Sequence, residues 1–334
     1  MSGDESNLTQ RSNALNLIVM GTGPFAVPMF ESLLASRHQV LGLVTRPDRP
    51  VHRRGKPPAN PMRELAQRNK VDVFEPESIN SPDAHAWLLE QAADLFIVCD
   101  YGQILSSEML TLARFGGINL HASLLPKYRG AAPINWAIYH GQQETGVTVI
   151  HMTPQLDAGP ALVQRRIAIG TSETAPELEI RLAALGRDAV NEAIEMLASG
   201  KLAEGIPQDK NMATKAPRLK KEDGLVDWSR SAVDIFNQVR AMQPWPTTYT
   251  FLKTDGGEPL RLILDRVRPV VENSPSGSIS QTPGTIIAAQ GDELIVACGQ
   301  GWLSLEMVQP AGKRAMSAGE FLRGHTAHQG IRFE

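Results

Sequence analysis

Several features are scarce in this chain, and each scarcity argues against a class of protein. Only two of the 334 residues are cysteines, Cys99 and Cys298, and they are far apart. Isolated cysteines argue against a disulfide scaffold and against a structural zinc site. No apolar run approaches the roughly 18 residues of a membrane span, and the polar first 13 residues do not open a signal peptide. We therefore expect a soluble cytoplasmic protein.

An excess of positive charge is also missing. The formal net charge is -3, so the chain is not basic overall, and any contact with nucleic acid has to come from a local patch. Hydrophobic residues, in contrast, are plentiful at 42% of the chain. That share is enough, at this length, for two domains with separate cores.

The first two hundred residues alternate between strand-like and helix-like segments. An apolar run at residues 15–20 is followed by a glycine-containing turn, a helix at 26–35 and a second strand at 40–45. The alternation continues up to a long helix at 175–198. This spacing predicts an α/β fold with a Rossmann-like, mostly parallel sheet and helices on both faces.

The character of the sequence changes near residue 200. Residues 203–219 show little apolar periodicity and many lysines, prolines and glycines, which favours an exposed linker. Beyond it, Ile235, Val239 and Met242 have helical spacing, and short β-like runs separated by turn residues follow, which predicts a small β-barrel. We predict an α/β domain at 14–202, a linker at 203–219 and a barrel domain at 220–334.

The stretch "INLHASLLPKYRGAAPI" at 118–134 places two polar residues at the end of an apolar strand. Asn119 and His121 are two positions apart and therefore share a face. The carboxyl end of a strand in an open α/β sheet borders the ligand crevice, where an amide and an imidazole can stabilise an oxyanion during acyl transfer. Taken singly, each residue also fits a structural role, a turn for Asn119 and a backbone hydrogen bond for His121.

A third polar residue, Asp157, lies in the loop "QLDAGP" after the strand that ends near residue 152. It is either a turn residue or a carboxylate that faces the crevice. If it faces His121, it stabilises the imidazolium and helps to pass a proton. The three residues together would serve attack of an amine on a formyl or acyl carbon. No GxSxG motif supplies a competing nucleophile.

The turn "GTGPFA" at 21–26 fits a loose dinucleotide-binding fingerprint, which is weak evidence by itself. Pro24 removes one backbone N–H from the turn. The acid expected at the end of the second strand is missing, because Thr45 and Arg46 stand there. We therefore favour a structural use of these glycines.

A local basic patch follows the second strand, in "TRPDRPVHRRGKPP", where one acid, Asp48, accompanies five cations. Such a run is often only a solvated loop. It leaves the sheet at the same edge as Asn119 and His121, however, so its cations could hold a polyanionic substrate such as RNA. The five cations are Arg46, Arg49, Arg53, Arg54 and Lys56.

Eight blocks of the chain, in this order, resemble the methionyl-tRNA formyltransferases, a family of folate-dependent formyltransferases. The resemblance extends over about residues 15–324. The blocks are "GTGPF", "RPDRP" with "RRGK", "VCDYGQIL", "GGINLHASLLPKYRGAAPINWAI", "ETGVTVIHMTPQLDAGP", "KAPRLKKEDGLVDW", "PWPTTYTFL" and "VQPAGKRAMSAGEFLRG". The resemblance implies transfer of a formyl group from 10-formyltetrahydrofolate, a co-substrate, to the α-amino group of methionyl initiator tRNA. It implies no metal, and we expect a monomer.

The resemblance also assigns residues. Asn119, His121 and Asp157 match the catalytic trio, and the C-terminal barrel is expected to be OB-like and to add tRNA contacts. The basic patch matches an insertion that enters the tRNA acceptor stem, but it is one residue longer here. Either Arg53 or Arg54 therefore corresponds to the inserted arginine, and we favour Arg54. The folate-contacting segment is matched by Ser123, Leu124, Leu125 and Pro126.

Two departures from the family pattern stand out. Gly23 replaces a proline that is common after "GT", and Asp100 replaces an alanine before "YG", which adds a charge close to the expected pterin pocket. Two alternative functions remain from the sequence. One is a folate-dependent formyltransferase that acts on a sugar nucleotide or small amine, and the other is a non-catalytic RNA-binding protein.

Overall fold

The computed structural model describes residues 13–48, 59–200, 204–253, 258–270 and 281–334. These residues form two compact units. The first comprises the described residues up to Pro133 together with Glu144–Ala168 and the described part of Leu178–Pro217. The second comprises Ile134–Gln143, Ile169–Glu177 and the described residues from Arg218 onward.

The secondary structure follows the alternation seen in the sequence. The strands are β1 (Asn16–Gly21), β2 (Gln39–Val44), β3 (Asp72–Phe74), β4 (Leu95–Cys99), β5 (Gly117–His121), β6 (Arg129–Gly130), β7 (Glu144–His151), β8 (Ala161–Ala168), β9 (Lys215–Ala216), β10 (Thr248–Leu252), β11 (Leu260–Val270), β12 (Ile286–Gln290), β13 (Glu293–Ala297), β14 (Trp302–Pro310) and β15 (Met316–Ser317). The α-helices are α1 (Val27–Leu34), α2 (Pro61–Arg68), α3 (Pro82–Gln91), α4 (Ser107–Leu110), α5 (Pro133–Tyr139), α6 (Ala175–Ala198), α7 (Ala232–Ala241) and α8 (Ala318–Gly324).

The first unit is built on a seven-stranded sheet with the order β3-β2-β1-β4-β5-β7-β8. Strands β1 to β5 pair in parallel, whereas β7 runs antiparallel to both β5 and β8. The predicted mostly parallel sheet is confirmed. Central strand β1 is apolar throughout its middle, and Leu17 to Met20 are fully buried, as a strand covered on both faces requires.

Three helices of this unit begin at side chains that cap them. Asn60, Ser81 and Ser106 each accept a hydrogen bond from the backbone N–H three residues further on. In α2 and α3 a proline follows the cap, where its missing N–H costs nothing. These caps fix where the loops that leave the carboxyl edge of the sheet return into helices.

The second unit contains an antiparallel sheet with the order β10-β11-β14-β13-β12, with β15 paired to β14. The last residues of the chain close it: Phe333 bridges to Leu252 of β10, and Arg332 bridges to Thr285 beside β12. The result is an OB-like barrel, as predicted. Helix α7 packs on β11 and buries Ile235 and Val239 in the barrel core.

Within the described ranges, no helix combines the length and the apolar character needed to cross a membrane.

Candidate active site

The three polar side chains singled out in the first unit lie together at the carboxyl edge of the sheet. The Asn119 amide Nδ2 donates to Asp157 Oδ1 at 3.3 Å. His121 Nδ1 lies 3.7 Å from Asp157 Oδ2, and both side chains are less than a tenth exposed. An amide, an imidazole and a carboxylate from two separate segments therefore meet in one largely buried cluster.

Strand β5 places the first two of these residues on one face. Asn119 pairs with Ile150 and His121 pairs with Thr148 of β7, while Val98 of β4 lies on the other side of Asn119. Because side chains alternate along a strand, Asn119 and His121, which are two positions apart on β5, point to the same face of the sheet. The hydrophobic positions between and around them are buried in the sheet.

The ring of His121 is oriented by the backbone. Its Nε2 lies 2.9 Å from the Tyr128 carbonyl oxygen, and because a carbonyl only accepts, Nε2 carries the hydrogen and donates it. The other ring nitrogen, Nδ1, is the one that faces Asp157. Its 3.7 Å separation from Oδ2 is ion-pair range and longer than a direct hydrogen bond. Nδ1 is therefore the nitrogen at which a proton can be gained or lost.

The carboxylate of Asp157 is held on both oxygens. Oδ1 accepts from Asn119, and Oδ2 accepts the Gly130 backbone N–H at 2.9 Å. Gly130 has a φ of +126°, and a Cβ at this position would overlap the Ala216 carbonyl oxygen. Only glycine fits where β6 pairs with β9. The close pairing fixes the position of the Gly130 N–H, which in turn positions Asp157.

A glutamine from the stretch predicted to be a linker also holds the Asp157 loop. Gln208 Nε2 donates to the carbonyl oxygens of Asp157 at 2.9 Å and Gly159 at 2.7 Å. Its Oε1 accepts two N–H groups of Arg129, at 3.1 and 2.6 Å. The sequence did not single out Gly130, although it lies in the family-like block at 116–138, and it did not single out Gln208, which has no periodic or motif signal. Both position the site through backbone contacts.

The segment from Ser123 to Pro126 is held by hydrogen bonds to Thr148 of β7 and Gln164 of β8. Thr148 Oγ1 donates to the Ser123 carbonyl at 2.7 Å and accepts the Leu125 N–H at 3.1 Å. Gln164 Nε2 donates to the Leu125 carbonyl at 2.9 Å. Ser123 and Leu125 are buried, while Leu124 and Pro126 stay partly exposed. This segment therefore has a set backbone shape directly after the strand that carries His121.

Of the five cations in the predicted basic patch, Arg46 is the one that the structure describes. Arg49, Arg53, Arg54 and Lys56 lie outside the described residues. Arg46 is described and is half-buried, with its guanidinium donating to the Gly102 carbonyl after β4. The Arg46 side chain thus contacts the loop after β4, at the carboxyl edge of the sheet.

The two departures from the family pattern, Gly23 and Asp100, contact each other. Asp100 follows β4 with a φ of +49°, and a Cβ added to Gly23 would overlap its carboxylate. The glycine thus makes room for the additional acid. Burial, and then the negative charge of Asp100, raise the pKa of the Glu179 carboxyl, which places a second acid in the neighbourhood.

Tyr101, the next residue, is also at this edge. Burial raises the pKa of its hydroxyl to about 12, and the nearby Arg46 cation opposes that shift. Its hydroxyl has no hydrogen-bond partner among the residues that the structure describes. Among all the residues that the structure describes, no group of three or more His, Cys, Asp or Glu side chains could hold a metal ion.

Comparison with family models decides what kind of protein carries this site. The model described as "Formyl transferase" matches residues 15–194, and "Formyl transferase, C-terminal domain" matches residues 218–326. The chain belongs to the formyl transferase family. All three members of the clustered trio lie within the first matched range, and the closed barrel lies within and around the second.

Relatives in the formyl transferase family match nearly the whole chain. A protein of Rhodopirellula baltica named "Methionyl-tRNA formyltransferase" is 44% identical over 324 residues, which cover 94% of this chain and 95% of the relative. A protein of the same name from Geobacter sulfurreducens is 40% identical over 318 residues, which cover 95% of this chain and 96% of the relative.

Solved structures share the fold at lower identity. An N-formyltransferase from Helicobacter canadensis, in complex with folinic acid and dTDP-3-aminofucose, has a TM-score of 0.63 at 17% identity. The match covers 89% of this chain and 99% of that one. HypX from Aquifex aeolicus, in complex with tetrahydrofolic acid, has a TM-score of 0.60 at 15% identity, over 93% of this chain and 47% of that one. These two comparisons concern the fold alone.

Proposed function

We propose that this formyl transferase moves a formyl group from 10-formyltetrahydrofolate to the α-amino group of methionine esterified to initiator tRNA. The observation that carries the proposal is the convergence of Asn119, His121 and Asp157 in a chain whose full-length relatives bear the name of that activity. An uncharged amide donor, an imidazole and a buried carboxylate suit acyl transfer to an amine.

At the formyl carbon the reaction forms one C–N bond and breaks another. The neutral methionyl nitrogen attacks the formyl carbon, and the carbonyl electrons move to the formyl oxygen. Asn119 Nδ2 has two hydrogens, one of which points to Asp157, so the second is available for that oxygen. Collapse of the adduct sends the electron pair of the C–N10 bond to N10 of the departing tetrahydrofolate. The product is formylmethionyl-tRNA.

Proton movement falls to His121 and Asp157. The attacking nitrogen has to lose one proton and N10 has to gain one, so the net charge of the reactants does not change. His121 Nδ1 accepts and returns that proton, because Nε2 is committed to the Tyr128 carbonyl. The Asp157 carboxylate, 3.7 Å away, stabilises the transient imidazolium. No covalent enzyme intermediate is required.

Binding of the two substrates is proposed for separate surfaces. Ser123, Leu124, Leu125 and Pro126 form the folate-contacting segment, supported by its fixed shape next to His121. The tRNA is bound by the basic patch that starts at Arg46, with Arg49, Arg53, Arg54 and Lys56 contacting phosphates. The cations of this patch are what an enzyme for a small amine would not need.

The test is a direct assay of formyl acceptors. The purified protein is incubated with radiolabelled formyl donor and, in parallel, with charged initiator tRNA or with an amino-sugar nucleotide. We expect label on the methionyl-tRNA only. Label on the amino sugar instead would support the small-amine alternative. Binding of tRNA without any label transfer would support a non-catalytic RNA-binding protein.

A further inference from the structure

Arg63, near the start of α2, donates hydrogen bonds within the protein from all three nitrogens of its guanidinium. Nη1 donates to both carboxylate oxygens of Asp48 at 2.9 Å, and Nε donates to Glu75 Oε1 at 2.8 Å. Nη2 donates to the same Glu75 oxygen and to the Arg46 carbonyl, the latter at 3.3 Å. All three nitrogens of the guanidinium therefore have an acceptor here. The side chain is only 17% exposed.

The acceptors of Arg63 include the first stem of the basic patch. Arg46 and Asp48 are the residues through which the chain leaves β2 toward Arg49. The returning stem ends at Asn60, which caps α2 and donates from Nδ2 to Thr45 Oγ1 at 2.9 Å. Both stems are thus fastened to the first turn of one helix. The described residues on either side of the patch are therefore held in place.

Charge gives Arg63 a second effect. Between Asp48 and Asn60 the chain carries cations and no acid. Asp48 and Glu75 are the acids beside the stem, and their side chains are 44% and 35% exposed. Paired with Arg63, they repel an approaching phosphate less than they would alone.

We infer that Arg63 is a positioning residue for the RNA substrate, acting through the stem of the basic patch and not by contact with RNA. The inference rests on the proposed function, in which that patch contacts tRNA. A direct contact between Arg63 and a phosphate would require breaking charge-assisted hydrogen bonds that are already made. Holding Arg46 and Asp48 in place fixes the point from which the chain continues toward Arg49, and it lowers the entropy that these two residues lose on binding.

The first experiment measures KM separately for charged initiator tRNA and for the formyl donor in Arg63→Ala. We expect KM for tRNA to rise about tenfold, with a weaker salt dependence, and KM for the donor to stay unchanged. Arg63→Lys keeps the charge but not the fork of donors, so its KM should lie in between. It also serves as a test if the alanine variant folds poorly. Arg68→Ala is the matched control, because exposed Arg68 on the same helix donates to the Glu64 carbonyl and makes no other side-chain hydrogen bond to the described residues.

The second experiment combines Arg63→Ala with alanines at both Arg53 and Arg54. If Arg63 acts through the patch, adding its substitution to the patch variant changes KM for tRNA little further. Multiplying effects would show that Arg63 contacts RNA itself and would overturn the inference. So would a normal KM for tRNA in Arg63→Ala, or equal losses for both substrates. Absence of tRNA formylation by the unmodified enzyme is a different result, since it removes the proposed function.

Discussion

Two buried histidines in the first unit, His38 and His121, each stand beside a carboxylate, yet their bonds differ. His38 Nδ1 accepts the Leu15 N–H at 3.1 Å, and its Nε2 lies 3.2 Å from Glu195 Oε1. Because Nδ1 accepts a hydrogen bond, the proton of the neutral ring is on Nε2. Both nitrogens of His38 are therefore committed, and its tautomer is fixed by the backbone.

His121 is committed on one side only. Its Nε2 donates to a carbonyl, while Nδ1 faces Asp157 at 3.7 Å without a direct hydrogen bond. The carboxylates differ as well, since the side chain of Glu195 is 54% exposed and that of Asp157 is 8% exposed. Water screens the first charge and not the second. The comparison teaches that a histidine beside a carboxylate becomes useful for chemistry when one nitrogen is left for a mobile proton.

The largest expected effect tests this difference directly, by making the same substitution at both histidines. His121→Asn should lower kcat for formylation by about a hundredfold or more, because it removes the group that accepts and returns the proton. His38→Asn should leave kcat within about twofold, since an amide oxygen can still accept from Leu15. Steady-state kinetics with saturating donor and charged tRNA provides the measurement. Similar kcat losses in both variants would contradict the assignment.

A smaller effect is expected from Gly130→Ala, which sharpens the comparison by disturbing the partner of His121. The new methyl group overlaps the Ala216 carbonyl in a positive-φ conformation, so the N–H that holds Asp157 moves. We expect the free energy of unfolding to fall by about 1–3 kcal/mol and kcat to fall by about tenfold. Chemical denaturation and kinetics on the same preparation measure both quantities.

Gly200→Ala is the matched control for this prediction. Gly200 also has a positive φ, +68°, but apart from its chain neighbours no atom of the described residues lies within 4 Å of the position of an added Cβ. Its substitution should cost about 1 kcal/mol in stability and nothing in kcat. If Gly130→Ala loses stability but keeps its full kcat, the pairing of β6 with β9 does not position Asp157.

The parts of the site that the sequence predicted are those that depend on short, regular patterns. Asn119 and His121 are two residues apart on one strand, so their common face follows from the strand repeat alone. The parallel sheet follows from apolar runs separated by helices, because strands buried on both faces have to be apolar. The barrel follows similarly from short runs between turn residues.

The residues that the sequence did not reveal act across long separations. Gln208 is 51 positions from Asp157, and Gly130 packs on Ala216 through a strand pair only two residues long. A strand pair this short has no hydrophobic periodicity to reveal it. The polar stretch around Gln208, which holds the Asp157 loop by hydrogen bonds, has the composition of a linker. The position of Asp100 against Gly23 is equally invisible until the turn after β1 and the end of β4 are side by side.

The smallest expected effect concerns stability at mildly acid pH. It tests whether folding disfavours protonation of His38, the histidine that has both nitrogens committed to hydrogen bonds. Burial lowers the pKa of His38 below 6.5, although the hydrogen bond to Glu195 opposes the shift. The folded chain therefore binds this proton more weakly than the unfolded chain. The contribution of His38 to stability is full above about pH 6.5 and is lost as pH falls toward the folded pKa, by at most about 1.4 kcal/mol per pH unit.

Urea unfolding of the unmodified chain and of His38→Asn between pH 7.5 and 5 measures this effect. The difference between their free energies of unfolding should shrink as the pH falls, because asparagine does not titrate and keeps an acceptor for the Leu15 N–H. A difference that is constant over this range would show that His38 is protonated equally in both states. Its ring would then be free to carry a proton in the folded chain, and the distinction from His121 would disappear.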